Sequence, residues 1–472
     1  MTLRERLVAA ASSESGVIFT LGFIIGFPHY LYADLCSQIA DGRMLWSGTF
    51  PRILPEAFDA APWVDHEWLF ELLAWPWWAH GLWPAFAALC TVLVALVPLC
   101  AVAIARRGDA SPFVANAVGY LTIAGAVTSY SVRPQTIAEL CFALELYVLL
   151  GPLRRPWLLF PLTVVWANAH GSVPLAPLLV ALVAVGRSIE TRSAPSRGLM
   201  IAFACALLGT LVTPSGLALW TSAAPIAARA DLSQTADWRP VSLGYPIEFF
   251  VLFVYAAVLV AGGVPFVRRN AVALVLLAAF APMWLLAARF LPFFVIAAVP
   301  ALAIALSGSG LEQWRRRKPR SVRPGAAWLA LPLLAALALT SVLLGPLSVK
   351  PQKGLAESDA LVRAAGFHGR LFAPFTAGAY LELRGDPVQV LLDTHAVPFA
   401  PAAWLDYATI DAGRRGWREA LDRRAIAGVI AVDDGALDSA LSTAAGWHAV
   451  ARVPGYVLFV RAPMQAPAHR LR

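Results

Sequence analysis

The chain has 472 residues, 59% of them hydrophobic and only 14% charged, with a mean hydropathy of +0.66. A soluble domain carries about 25% charged residues, so most of this chain does not read as soluble. The net charge of +8 does not indicate nucleic acid, because the arginines sit in short loops between apolar runs, where membrane topology explains them.

Arg4 and Arg6 precede a first apolar run at about 15–33, with no small-residue cleavage site after it. It reads as an uncleaved helix with a cytoplasmic N-terminus. A polar stretch of about 34–67 follows outside. Residues 68–82, WLFELLAWPWWAHGL, are Trp-dense and interrupted by Pro76. They read as a helix in the outer interface, with a short span as the alternative. The second span, about 83–105, ends inside at Arg106-Arg107, and the third, about 111–131, ends outside at Arg133. The fourth returns to Arg154-Arg155, and a short fifth at about 156–169 ends outside at Asn168 and His170. The sixth returns to Arg187, Arg192 and Arg197, and the seventh, about 198–213, exits at Thr213-Pro214. The eighth, about 246–266, returns to Arg268-Arg269, and the ninth exits near Arg289. The tenth returns to WRRRKPRSVR at 314–323, and the eleventh spans about 326–345. Every basic pair or cluster between spans falls inside under this count.

The tail changes character. RLFAPF, YLELR, VQVLLD, GVIAV and YVLFV read as strands, and ESDALVRAAGF, GWREALDRRA and ALDSALSTAAG as helices. The expected fold class is an all-α polytopic membrane protein of about 11 transmembrane helices with a small α/β extracytoplasmic C-terminal domain. Residues 1–345 form the membrane domain, with the outer loop 34–82, and 346–472 form the periplasmic domain. The five cysteines show no disulfide framework.

This topology places Asp34, Asp41, Arg43, Asp59, Asp65, His66 and Glu67 outside. It does the same for Arg133, Gln135, Asn168, His170, Asp237, Arg239 and Arg289. Polar groups at membrane depth are costly and tend to face a cavity or a partner, although arginines at helix ends also snorkel to the interface. Asp34 is the sharpest candidate, placed where the first span meets the outer surface. A carboxylate there can bind a divalent metal or accept a proton from an attacking hydroxyl; a solvated helix-end carboxylate is the competing reading. Asp65, His66 and Glu67 cannot all grip one ion from a regular helix, and Asp65 is expected to cap the helix that follows. Asn168 and His170 lie at the Gly break of WANAHGS, which suits a cavity wall or a helix-terminating turn. Asp393, Asp433 and Asp434 read as solvated surface or turn residues. The chain carries no P-loop, dinucleotide fingerprint, GxSxG or HExxH.

The order of features resembles the GT-C membrane glycosyltransferases, which include protein mannosyltransferases and lipid A aminoarabinose transferases. A nearer resemblance is to a less characterised set of bacterial polytopic proteins related to that class. It rests on Asp34-Leu35, Asp41-Gly42-Arg43, Gly48-Thr49-Phe50-Pro51-Arg52 and Pro62-Trp63-Val64-Asp65-His66-Glu67-Trp68-Leu69. Arg133-Pro134-Gln135, Trp166 to Ser172, Pro214-Ser215-Gly216, Gly378-Ala379-Tyr380-Leu381 and Asp393 extend it along the chain. Leu35 stands where the transferases carry a second acidic residue, and His395 where an arginine is expected.

The resemblance implies transfer of a sugar from a polyprenyl-phosphate carrier at the outer face of the bacterial inner membrane. The acceptor would be an envelope polysaccharide or a protein. Asp34 would be the base or a ligand to a divalent cation, Mg2+ or Mn2+. Arg133, Arg239 or Arg289 would engage the phosphate. Asp41, Arg43, His66, Glu67, Gln135, Asn168 and His170 would bind substrate. Two alternatives stand beside this reading. A lipid-linked sugar transporter would use Glu139 and Glu145, the only acidic residues well inside a span. A non-catalytic partner of an envelope polysaccharide machine would fit the motif departures.

Overall fold

The structure, a computed structural model, describes residues 13–27, 30–52, 54, 57–58, 60–126, 132–227, 238–242, 246–267, 270–318 and 350–461. Arg4, Arg6, Asp59, Asp237, Arg268, Arg269 and the expected eleventh span lie outside these residues. The chain divides into two compact units: Met1–His29 with Leu82–Leu347, and Tyr30–Gly81 with Ser348–Arg472. Residues 34–81 of the loop placed by the sequence with the membrane domain therefore group with the tail.

Helix α1 (Glu14–Gly26) ends early, because Pro28 disfavours helical geometry at Phe27, which is extended at φ −72°, ψ 125°. Asp34 consequently does not end the first span. It lies in the first turn of a separate helix, α2 (Ala33–Trp46). Helix α3 (Trp68–Ala79) follows, then α4 (Trp83–Arg107), α5 (Pro112–Ala126), α6 (Pro134–Leu149), α7 (Leu159–Ala169), α8 (Leu175–Thr191) and α9 (Arg197–Gly209). Next come α10 (Ala218–Ala227), α11 (Pro246–Val267), α12 (Ala271–Leu286), α13 (Leu291–Ala297), α14 (Val299–Gly308) and α15 (Gly310–Arg317).

The first unit, which holds α1 and α4–α15, has an aromatic centre. Phe142 of α6 meets Trp166, Phe280 and Phe293 with ring centroids 6.2, 5.2 and 5.4 Å away. Among the described residues only α4 is by itself long and apolar enough to cross a membrane. The segments Ala288–Ala297 and Val299–Gly308 pass together, bent by 50°, where Pro300 cannot donate to the carbonyl of Ile296. Three basic residues from the segments between apolar runs anchor helix ends. Arg107 donates to the Tyr147 carbonyl at 2.7 Å, Arg187 to that of Leu149 at 2.7 Å, and Arg315 stacks on Phe113 at 4.7 Å. The C-terminal ends of α4, α6 and α8 thus share one end of the unit with α15 and the start of α5.

The second unit joins α2 and α3 to α16 (Leu355–Ala365), α17 (Phe375–Arg384), α18 (Pro401–Asp411), α19 (Trp417–Arg423) and α20 (Ala436–Ser442). Its strands are β1 (Tyr30–Leu31), β2 (Lys350–Pro351), β3 (Gly369–Phe372), β4 (Val388–Val390), β5 (Gly428–Val432), β6 (Trp447–Val453) and β7 (Tyr456–Arg461). The main sheet has the order β4-β3-β5-β7-β6, parallel around β3 and antiparallel from β5 onward. Strand alternation sends Leu371, Ile430 and Leu458 to one core and Phe372, Val429 and Phe459 to the other, so helices cover both faces. YLELR, expected as a strand, lies in α17. Ala377 and Leu381 are buried one turn apart, and Gly385 ends the helix at φ +68°.

The two segments of this unit are stitched together. β1 pairs parallel to β2, and Ala57 and Ala60 bridge to Val390 and Phe399. Helices α2 and α3 meet at Gly42, where a Cβ would stand 2.2 Å from the Glu71 carbonyl oxygen; no other residue fits there.

Candidate functional site

Asp34, Gln38 and Asp41 recur at i, i+4 and i+7 on one face of α2. Asp34 is half-buried. Its turn is pinned by Ser37, whose hydroxyl donates to the Asp34 carbonyl at 2.8 Å and meets the Thr394 hydroxyl at 3.0 Å. Gln38 donates to Glu67 at 2.9 Å. Asp41 is fully buried, with Oδ2 2.7 Å from His395 Nε2. Arg43 donates to the carbonyls of Glu382 at 3.0 Å and Leu383 at 3.4 Å, closing the C-terminal end of α17. Asp41 and Arg43, expected at a substrate, are thus engaged in fastening α2 to the tail.

The opposing loop centres on His395. Its Nδ1 lies 2.9 Å from Asp393 Oδ1, the oxygen that also accepts from the His395 backbone N–H at 2.9 Å. The indole of Trp63 meets the imidazole edge-on at 5.0 Å. Burial alone pulls the imidazole down; the Asp393 and Asp41 carboxylates outweigh it and hold the His395 pKa well above the usual histidine range. Asp393, read from sequence as solvated, is 1% exposed. The sequence shows Asp-Thr-His as a turn; the burying contact comes from Asp41, 354 positions away. Asp433 and Asp434 do lie at the surface, half-buried and exposed.

Asp65 and Glu71 form a second buried acidic pair. Asp65 Oδ1 accepts from the Glu67 backbone N–H at 2.8 Å, just ahead of α3. The N-cap position is Glu67, which makes no side-chain cap, so the expected capping by Asp65 is not seen. Burial, followed by the Asp41 carboxylate, pushes Asp65 up from 3.8 to about 8. Burial and the Asp65 charge hold Glu71 well above its usual 4.5. His66 lies beside the pair, with Nδ1 3.1 Å from the Val64 carbonyl and Nε2 3.6 Å from Glu67.

A carboxyl with a raised folded pKa keeps a proton that the unfolded chain has released. From about pH 4 to about 8 the folded unit binds the extra protons, so its stability falls as pH rises. Thermal unfolding should therefore occur at higher temperature at pH 5 than at pH 8. Glu71→Gln, which retains a donor, should shrink that difference, while Asp65 and His395 keep their own share of it. An unchanged difference in the variant would mean that the pair does not carry it.

In the first unit, Gln135 donates to the Arg289 carbonyl at 3.4 Å and to Glu139 at 3.2 Å, and the Ala288 N–H donates to the Arg239 carbonyl at 2.9 Å. Gln135, Arg239 and Arg289 are so brought to one end, with Arg133 at the start of α6. Glu248 grips the Arg239 guanidinium through both carboxylate oxygens, whereas Arg289 stacks on Trp238 at 4.3 Å. Asn168 donates to the carbonyls of Val164 and Val212, each at 2.7 Å, tying the end of α7 to the loop after α9. His170 Nδ1 meets the Ser172 hydroxyl at 2.8 Å, and that hydroxyl also accepts from Trp166 at 3.0 Å. Both residues hold the helix-ending turn.

Glu382, Asp393 and His395 each bring one metal-donor atom within 4.8 Å of the others. No such group of three includes Asp34 among the described residues. Glu71, Glu382 and His395 were missing from the residues expected at the site.

No protein-family profile matches the chain, and no curated protein sequence does. Solved structures do match. The Archaeoglobus fulgidus oligosaccharyltransferase, tethered to an acceptor peptide containing the NVT sequon, aligns with 98% of this chain and 76% of its own at 11% identity and a TM-score of 0.56. ArnT from Cupriavidus metallidurans, bound to undecaprenyl phosphate, aligns over 98% and 100% at 15% identity and a TM-score of 0.52. The fold is GT-C-like. The arabinofuranosyltransferase AftD from Mycobacteria aligns with 98% of this chain at 15% identity and a TM-score of 0.54, and the match spans 40% of AftD. The GT-C-like fold thus runs through both compact units.

Proposed function

We propose that this chain is a membrane glycosyltransferase of the GT-C kind, moving a sugar from a polyprenyl-phosphate carrier to an acceptor at the outer face of the bacterial inner membrane. The observation that carries the reading is the placement of Asp34. In a chain GT-C-like over 98% of its length, it heads a helix tied down at Ser37, Asp41 and Arg43. A half-buried carboxylate on so fixed a helix suits a general base. It takes the proton of the acceptor hydroxyl as that oxygen bonds to the anomeric carbon, and the carrier phosphate leaves with the electrons of the broken C–O bond. Exposed Trp46 and Leu73 on α2 and α3, with the tryptophans of α3, suit helices resting in the membrane interface.

Arg133 and Arg289 meet the phosphate charge in this reading. Arg239, gripped by Glu248, holds the loop beside them. Asn168 and His170 support the wall of the sugar or acceptor pocket. The spans traverse the bilayer about eleven times, with the second unit in the periplasm, where the acceptor is an envelope polysaccharide or a protein. The bound undecaprenyl phosphate of ArnT supports the choice of lipid carrier.

Carrier binding tests the assignment. Arg133→Ala or Arg289→Ala should weaken binding of a polyprenyl phosphate by roughly ten- to a hundredfold, the worth of one charge-assisted bond of about 1.5–3 kcal/mol. Arg4→Ala should leave it unchanged. Equal affinity in all three variants would remove both arginines from the site.

A further inference from the structure

The cluster around His395 has a chemistry that the transfer reaction leaves unused. Three carboxylates, Asp41, Asp393 and Glu382, are 0%, 1% and 2% exposed and surround one imidazole. Ionised together, three carboxylates exceed the single positive charge that a protonated imidazole supplies. Such an excess is costly away from water unless a further cation meets it. Asp393 Oδ2 and Asp41 Oδ1 are buried oxygens without a hydrogen-bond partner among the described residues.

The imidazole is oriented as metal-bound histidines are. Nε2 faces Asp41 Oδ2 at 2.7 Å, the place of the carboxylate that accepts the second ring N–H and fixes the ring. That leaves Nδ1 to donate its lone pair on the side of Asp393, with a Glu382 oxygen in the same donor group. The 2.9 Å from Nδ1 to Asp393 Oδ1 matches adjacent ligand atoms on one ion, since bonds of about 2.1 Å at right angles put them about 3.0 Å apart. One imidazole nitrogen with two carboxylates suits a divalent first-row ion such as Mn2+ or Zn2+ better than Ca2+, which takes oxygen alone.

We propose that Glu382, Asp393 and His395 form a divalent transition-metal site, with Asp41 orienting the histidine. The ion joins the end of α17 to the 393–395 loop. Through Asp41 it stiffens α2, the helix that bears Asp34. Binding of the ion requires no sugar donor, so the site stands or falls separately from glycosyl transfer.

The full-length protein in detergent, stripped with EDTA and titrated with Mn2+, should bind one ion per chain by electron paramagnetic resonance. The spectrum should show 14N modulation from an imidazole, and Zn2+ should compete. Glu382→Gln and Asp393→Asn should each weaken binding at least tenfold, while Asp433→Asn, in the surface acidic group, should not. If Asp393→Asn fails to fold, Glu382→Gln and the 14N signal still decide. Failure to bind either ion, a bound ion without nitrogen coupling, or full affinity in Glu382→Gln overturns the proposal. So does loss of the ion in Asp34→Asn alone, which would place it elsewhere.

Discussion

Asp34→Asn should lower sugar transfer by about 10²-fold or more in a purified assay, the usual scale for a lost general base. The change keeps the side chain's shape and removes its charge. Folding should survive. Asp34 is half-buried in the first turn of α2, where an anion gains about 0.3–1 kcal/mol from the helix terminus. The ties of α2 at Ser37, Asp41 and Arg43 do not run through the Asp34 carboxylate. Asp433→Asn, a surface carboxylate of the same unit, is the control and should keep full activity. Near-full transfer by Asp34→Asn would show that another group accepts the proton. An inactive wild-type protein whose deletion still disturbs an envelope polysaccharide would favour the non-catalytic partner reading.

His395→Leu should open the junction between α2 and the tail. It removes the group between two carboxylates that are 0% and 1% exposed. Breaking a buried pair in this way costs about 3–5 kcal/mol, because the remaining charge is uncompensated. Whether a proton or a metal ion occupies the ring, leucine holds neither. Hydrogen exchange reads the change locally. Amides of α2 and of residues 393–395 should exchange roughly 10²- to 10⁴-fold faster, the equivalent of that energy in an opening equilibrium. Amides in the aromatic centre of the first unit, around Phe142, should keep their protection. An acceleration below tenfold in α2 would mean that the His395 bridge does not hold the helix.

The sequence carried the first unit well where one local signal dominated. The apolar run at 83–105 is α4 (Trp83–Arg107), and the basic pair that ends it lies where Arg107 meets Tyr147. Span length was less legible. Pro28 ends α1 early, and Pro300 sits at the bend between α13 and α14, so several apolar runs are shorter helices than their hydropathy suggested. YLELR alternates like a strand, yet it lies between Pro374 at the N-cap and Gly385 at the C-cap of a helix. Composition could not show that 30–81 and 348–472 fold as one unit, because the pairing of Tyr30 with Lys350 is purely tertiary. The same distance hid His395. Nothing near it in the chain reveals that Asp41 waits 2.7 Å from its ring. Asp34, by contrast, stood out from its position after the first apolar run, although it proved to start a helix rather than end one.

The most direct measurement of the central claim is mass spectrometry of the lipids that co-purify with the full-length protein from its native membrane. A polyprenyl phosphate or its glycosylated form, near one per chain and reduced in Arg133→Ala, is the expected result. Bulk phospholipids alone, with no polyprenyl species at any measurable occupancy, would contradict the account.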